Sequence, residues 1–137
     1  MAELMQIRSE GLIEEVEGLK AKGARLVQIM CSMIDEGYEL TYNFDIEGAL
    51  VNLRLVAPQG GAVESITKVF LYAFIWENEI HDLFGLEFLN MVPEFDYKGK
   101  FFHLSTPTPW NPAAQVAVPK GLGIDASIKN EGGAQNG

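Results

Sequence analysis

Hydrophobic and polar positions change period several times along this chain, and each change marks an element. From Glu10 to Lys22, Leu12, Ile13, Val16 and Leu19 recur at helical spacing, with Ser9 in place as an N-cap and Gly23 as a terminator. That predicts a first helix. Gly11 and Gly18 each weaken it by roughly 1 kcal/mol relative to alanine, so it must be held by packing. The period then drops to two. In Arg25–Ile34, Val27, Ile29, Cys31 and Met33 share one face and Gln28 and Ser32 the other. Tyr38, Leu40, Tyr42, Phe44 and Ile46 alternate with Glu39, Thr41, Asn43 and Asp45. From Ala49 to Ala57, Val51, Leu53 and Leu55 alternate with Asn52 and Arg54. Asp35-Glu36-Gly37 and Glu47-Gly48 carry turn chemistry between these runs, which predicts an antiparallel three-strand meander with one wet face. Helices must then cover the other face, giving a two-layer α+β domain.

After the loop Pro58-Gln-Gly-Gly61, Ser65 or Thr67 is placed to cap a second helix ending at Phe84 before Gly85, and Leu86–Leu89 reads as one further short strand. Beyond Asn90 no period survives, and five of the chain's six prolines lie there. Phe95, Phe101, Phe102, Trp110 and Val116 to Val118 are too apolar for a solvated linker, so residues 91–118 are expected to lie as an extended arm on a surface, this chain's or a partner's. Residues 119–137, with five glycines after Lys120, are expected to be a flexible tail. The compact domain is therefore assigned to residues 1–90.

Composition narrows the chemistry. The 137 residues suit one domain, and a formal charge of −9 disfavours nucleic acid and anionic lipid as partners. The single cysteine, Cys31, supplies neither an internal disulfide nor the several thiolates of an iron–sulfur cluster or structural zinc site. The start of the chain has no basic-then-apolar leader, which points to the cytoplasm. The longest apolar run, Val69 to Trp76, is eight residues where a membrane span needs roughly 20.

Most of the information lies in residues 66–84. On a helix, Ile66, Val69, Phe70, Ala73, Trp76, Glu77, Ile80, Leu83 and Phe84 fall on one face, so Glu77 is a lone carboxylate in an apolar stripe. An ionised carboxylate buried there needs a partner or a proton. A break near Trp76 or Glu77 would instead leave Glu77 as an early residue of another helix. Asn78, Glu79, His81 and Asp82 crowd around it. Glu77 and His81, four residues apart, are the one pair that an independent acid–base enzyme would use, but no nucleophile elbow, phosphate loop or dinucleotide fingerprint accompanies them. A small-molecule-binding module on the same sheet is the other stand-alone reading.

Ser65-Ile-Thr67 followed by Trp76-Glu-Asn-Glu-Ile-His-Asp-Leu-Phe-Gly85 resembles the signature of the 30 kDa subunit family of respiratory complex I. The form Glu-Asn-Glu-Ile-His-Asp is most similar to the short homologous subunit of Ech-type and CO-induced energy-converting nickel–iron hydrogenases and of related formate hydrogenlyase complexes. The resemblance covers about residues 10–90 and is specific between Glu64 and Gly85. Asn78 stands where the respiratory family usually carries Arg, and the Gly-His-Pro stretch expected after the motif in complex I is missing, which favours the hydrogenase branch over a quinone-reducing complex. The resemblance implies a cofactor-free scaffold on the cytoplasmic side of the membrane. It would clamp a nickel–iron hydrogenase-like large subunit beside a small iron–sulfur subunit and a ferredoxin-like subunit, with the nickel–iron centre and clusters in those partners. On this reading Glu77, Glu79 and Asp82 accept from Arg or Lys, either of the meander strands or of the large subunit. Trp76 and Phe84 anchor the apolar side, and Asn78, His81 and Gly85 complete the motif.

Overall fold

The computed structural model describes residues 3–102 and 106–111. The last part of the expected arm and the expected flexible tail lie outside these residues. The meander forms as read: β2 (Arg25–Ile34), β3 (Gly37–Ile46) and β4 (Ala49–Pro58) pair antiparallel in succession. The β3–β4 hairpin turns through Glu47 and Gly48, both at positive φ, as a two-residue turn requires. At the β2–β3 turn Gly37 has φ of 137°, and a Cβ there would collide with the carbonyl oxygen of Ala57 and approach the amide nitrogen of Gln59 to 2.7 Å. No side chain fits.

One strand escapes the hydrophobic pattern. β1 (Glu3–Gln6) pairs parallel with β4, Glu3 opposite Val51 and Gln6 opposite Arg54, so the sheet order is β1-β4-β3-β2. Its four residues hold too short a period to be read, and the edge of β4 supplies the template. A second addition is β5 (Ala62–Glu64), which pairs parallel with β6 (Glu87–Leu89) in a separate two-stranded sheet. The further strand expected near Leu86–Leu89 is β6.

Tyr38, Leu40, Tyr42 and Phe44 of β3 and Leu53, Leu55 and Ala57 of β4 are buried against the helices. In β2 the register shifts between Leu26 and Gln28, a bulge at Val27. Leu26 therefore sits opposite Phe44, on the core face. The straight alternation put Val27 there. The bulge corrects it while leaving Ile29, Cys31 and Met33 in phase with Tyr42, Leu40 and Tyr38. The open face carries a polar ladder: Arg25 pairs with Asp45 at 2.8 Å, Asn43 donates to Asn52 at 2.5 Å, and Arg54 Nε donates to Thr41 Oγ1 at 3.1 Å.

α1 (Leu12–Ala21) buries Leu12, Val16 and Leu19. Ser9 opens a short 3₁₀ turn, Ser9–Gly11, and no side chain caps the helix. The other end closes as read: Gly23, at φ of 84°, donates to Lys20 O and Ala24 to Leu19 O, which satisfies two terminal carbonyls. α2 (Ala73–Phe84) starts later than expected and is unbroken through Trp76 and Glu77. Residues 66–72 form successive turns instead: Ser65 Oγ accepts the Thr67 amide at 3.1 Å and so caps the first of these turns, while no side chain caps α2 itself. Gly85, at φ of 82°, ends α2 by donating to His81 O at 2.8 Å.

Candidate functional site

Each polar residue of the motif on α2 has a definite place. Glu77 is fully buried, as its position in the apolar stripe demanded. Its partner is not a cation. Oε1 accepts from Ser65 Oγ at 2.7 Å and Oε2 from the Ile66 amide at 2.9 Å, and among the described residues no Lys or Arg pairs with it. Within this chain the expected Arg or Lys is replaced by a hydroxyl and an amide. Hydrogen bonds feed this carboxylate in series. The Val92 amide donates to Thr67 Oγ1 at 3.0 Å, Thr67 Oγ1 lies 2.8 Å from Ser65 Oγ, and Ser65 Oγ reaches Glu77. With Ser65 donating to Glu77, Thr67 donates to Ser65, and every proton points toward the acid.

These bonds offset burial only in part. Desolvation pushes the Glu77 carboxyl from 4.5 up to about 7 against the opposing pull of the Ile66 amide and the Ser65 hydroxyl. Tyr42 faces it from β3: its hydroxyl is buried without a hydrogen-bond partner among the described residues. Burial first, and the nearby Glu77 second, hold that phenol well above its ordinary pKa. Cys31 is raised by desolvation to about 12, so it is a thiol at neutral pH and no nucleophile.

The other face of α2 holds the chain that follows it. Asn78, 1% exposed, donates from Nδ2 to Phe74 O and Phe95 O at 2.7 and 2.8 Å and accepts the Tyr97 amide on Oδ1 at 3.1 Å. Asp82 Oδ2 accepts the Phe102 amide at 2.7 Å. His81 Nδ1 lies 2.9 Å from Leu86 O, which cannot donate, so Nδ1 carries the proton. Phe95 stacks on Phe74 with centroids 4.5 Å apart. Further on, the Trp110 amide donates to Leu83 O at 2.9 Å, and buried Asn111 donates to Phe84 O at 2.7 Å and Tyr38 Oη at 3.0 Å. Sequence reasoning missed Asn111 and the Ser65–Thr67 relay. The tripeptide was noticed, but as a cap.

Glu77 and His81, the pair that an acid–base enzyme would use, are thus engaged by different segments. Among the described residues no group of three or more His, Cys, Asp or Glu is placed to hold a metal ion, and no helix is long and apolar enough to cross a membrane. Two other members of the motif, Trp76 and Glu79, are part-buried. Trp76 also packs against the core, and Glu79 has no hydrogen-bond or ion-pair partner among the described residues. Both border a groove of about 410 Å³ that also includes Met30, Ser32, Leu83 and Trp110.

The fold and this site define an α+β domain whose motif acids mostly fasten the domain to itself. The chain belongs to the family of the 30 Kd subunit of respiratory-chain NADH dehydrogenase, whose sequence model matches residues 5–94. Among curated proteins none matches the sequence. Among solved structures the fold is similar to a chain in the structure of the membrane-bound sulfane sulfur reductase (MBS), an archaeal respiratory membrane complex, with a TM-score of 0.70 and 15% identity over 81% of this chain and 68% of that one.

Proposed function

We propose that this chain is a cofactor-free structural subunit of a membrane-associated energy-converting nickel–iron hydrogenase. It docks the catalytic large subunit to the small iron–sulfur subunit and the ferredoxin-like subunit, and it reaches the membrane's cytoplasmic side only through its partners. The nickel–iron centre and clusters reside in those chains. The observation that carries the reading is the division of labour along α2. Glu77, Asn78 and Asp82 are spent on internal bonds, while Trp76 and Glu79 of the same motif remain on a groove. That arrangement supports a rigid platform presenting a docking edge. Asn78 supports the hydrogenase branch: the position that carries Arg in the respiratory members here bears an amide closed around Phe95 and Tyr97.

The test is purification of the tagged chain from solubilised membranes, with partners identified by mass spectrometry and hydrogen evolution from reduced ferredoxin measured. The expected result is a nickel–iron large subunit, an iron–sulfur small subunit and hydrogen-evolving activity. A quinone-reducing assembly in its place would move the chain to the complex I branch, and a chain recovered alone would end the reading.

A further inference from the structure

β2 ends the four-stranded sheet, and its ten residues make no backbone hydrogen bond beyond the ladder to β3 among the described residues. Long exposed edges are normally guarded by lysine, proline, inward charges or a covering element, because unpaired amides and carbonyls recruit other strands. Here Arg25 and the bulge at Val27 guard the start and α2 packs against the core-facing side of the strand, but neither pairs its outward amides and carbonyls. From Leu26 to Ile34 the strand carries no charge and no proline, and Met30 is 45% exposed. The opposite edge differs: β1 has four residues and begins on Glu3.

The groove of the docking motif passes over this same edge. Two indoles line it. Trp110 is 58% exposed and held edge-on to Phe84, and Trp76 stands on α2 beside Glu79. We propose that the free edge of β2 takes an added strand from another subunit: an extended segment whose apolar side chains pack against Trp76 and Trp110, and whose Lys or Arg pairs with Glu79. This rests on the reading of the chain as a subunit and names the form its partner takes there. Main-chain bonds to β2 supply register and affinity, and Glu79 supplies choice of partner. Charge selects against a second copy, and backbone chemistry against the chain's own continuation. A second copy would bring another −9 chain and another Glu79 to the same edge. The chain's own residues 112–119, Pro-Ala-Ala-Gln-Val-Ala-Val-Pro, begin and end on prolines that cannot donate to a ladder, and the first cation of that stretch, Lys120, comes only after the second proline.

Residue-resolved hydrogen exchange on the complex purified from membranes tests this directly. With a free edge, only the β2 amides that face β3 are protected. With an added strand, protection is continuous from residue 26 to 34, and the outward amides slow by about tenfold or more. A photo-crosslinker at Gln28 should capture a segment of another subunit bearing Lys or Arg. Met30→Lys places a charge on the exposed edge without touching the core, so its thermal midpoint should stay unchanged while recovery of partner subunits falls about tenfold. Glu79→Lys should lower recovery likewise. A complex that contains the chain but shows alternating protection, or a crosslink to a second copy or to residues 112–137, overturns strand addition and leaves the subunit reading standing. Absence of the chain from any such complex overturns the subunit reading, and this proposal with it.

Discussion

At the scale of single residues, Glu77 makes stability respond to pH in an unusual sense. Most carboxylates in folded proteins are held below their ordinary pKa and lose stability on acidification. Glu77 is held above it, with the folded chain keeping its proton up to about pH 7 while the unfolded chain releases it near 4.5. Between those values the folded state binds more protons, so stability falls as pH rises and levels off above about 7. The contribution is at most about 3 kcal/mol. Glu77→Gln keeps an acceptor for Ser65 or the Ile66 amide and cannot ionise. We expect it to remove this slope and to be more stable than the parent at pH 8, as measured by chemical denaturation of both proteins from pH 4 to 8. A variant with the same slope as the parent would show that Glu77 is already ionised at pH 5. Ser65→Ala takes away the Oε1 donor and the acceptor of the Thr67 amide, for an expected loss of about 1–3 kcal/mol in the same measurement.

At the scale of elements, α2 is buried between two layers, and its sequence shows only one of them. Ala73, Glu77, Ile80 and Phe84 follow the helical stripe toward the sheet, but Asn78 and Asp82, four residues apart, are buried as well. They line the face against which residues 91–102 are laid. A hydropathy stripe marks a face buried against apolar groups, and this second face is buried against backbone amides and carbonyls, so it reads as surface. Asn78→Ala would strand the Phe95 carbonyl and the Tyr97 amide together. The expected cost is about 2–3 kcal/mol, and hydrogen exchange should quicken first at residues 91–98 while the β3 amides keep their protection. Equal acceleration in β3 would show that Asn78 supports the whole core.

At the scale of the molecule, truncation probes the division drawn at residue 90. Met91 lies in the core, Phe95 covers Phe74, the Phe102 amide bonds Asp82, and Asn111 reaches Tyr38 near the start of β3. A chain ending after residue 111 should keep the thermal midpoint of the full chain. One ending after residue 90 should melt well below it, because Asn78, Asp82 and Phe84 O all lose buried partners at once. Equal midpoints for the two truncations would make residues 1–90 a self-sufficient domain and the rest a true arm.

The meander, the core residues of β3 and β4, the buried stripe of α2 and the family were all legible in the chain, because each rests on a period or a motif within some twenty consecutive residues. The bulge at Val27, the parallel pairings of β1 and β5, and the late start of α2 were decided by contacts between distant segments, which no local period records. The site divides the same way. That Glu77 is buried follows from its spacing along a helix. That a serine hydroxyl and a peptide amide meet it, and among the described residues no cation, was decided by where residues 65–67 come to rest. An isolated acid in an apolar stripe specifies only that some donor must be present, and the identity of that donor is a property of the packed fold.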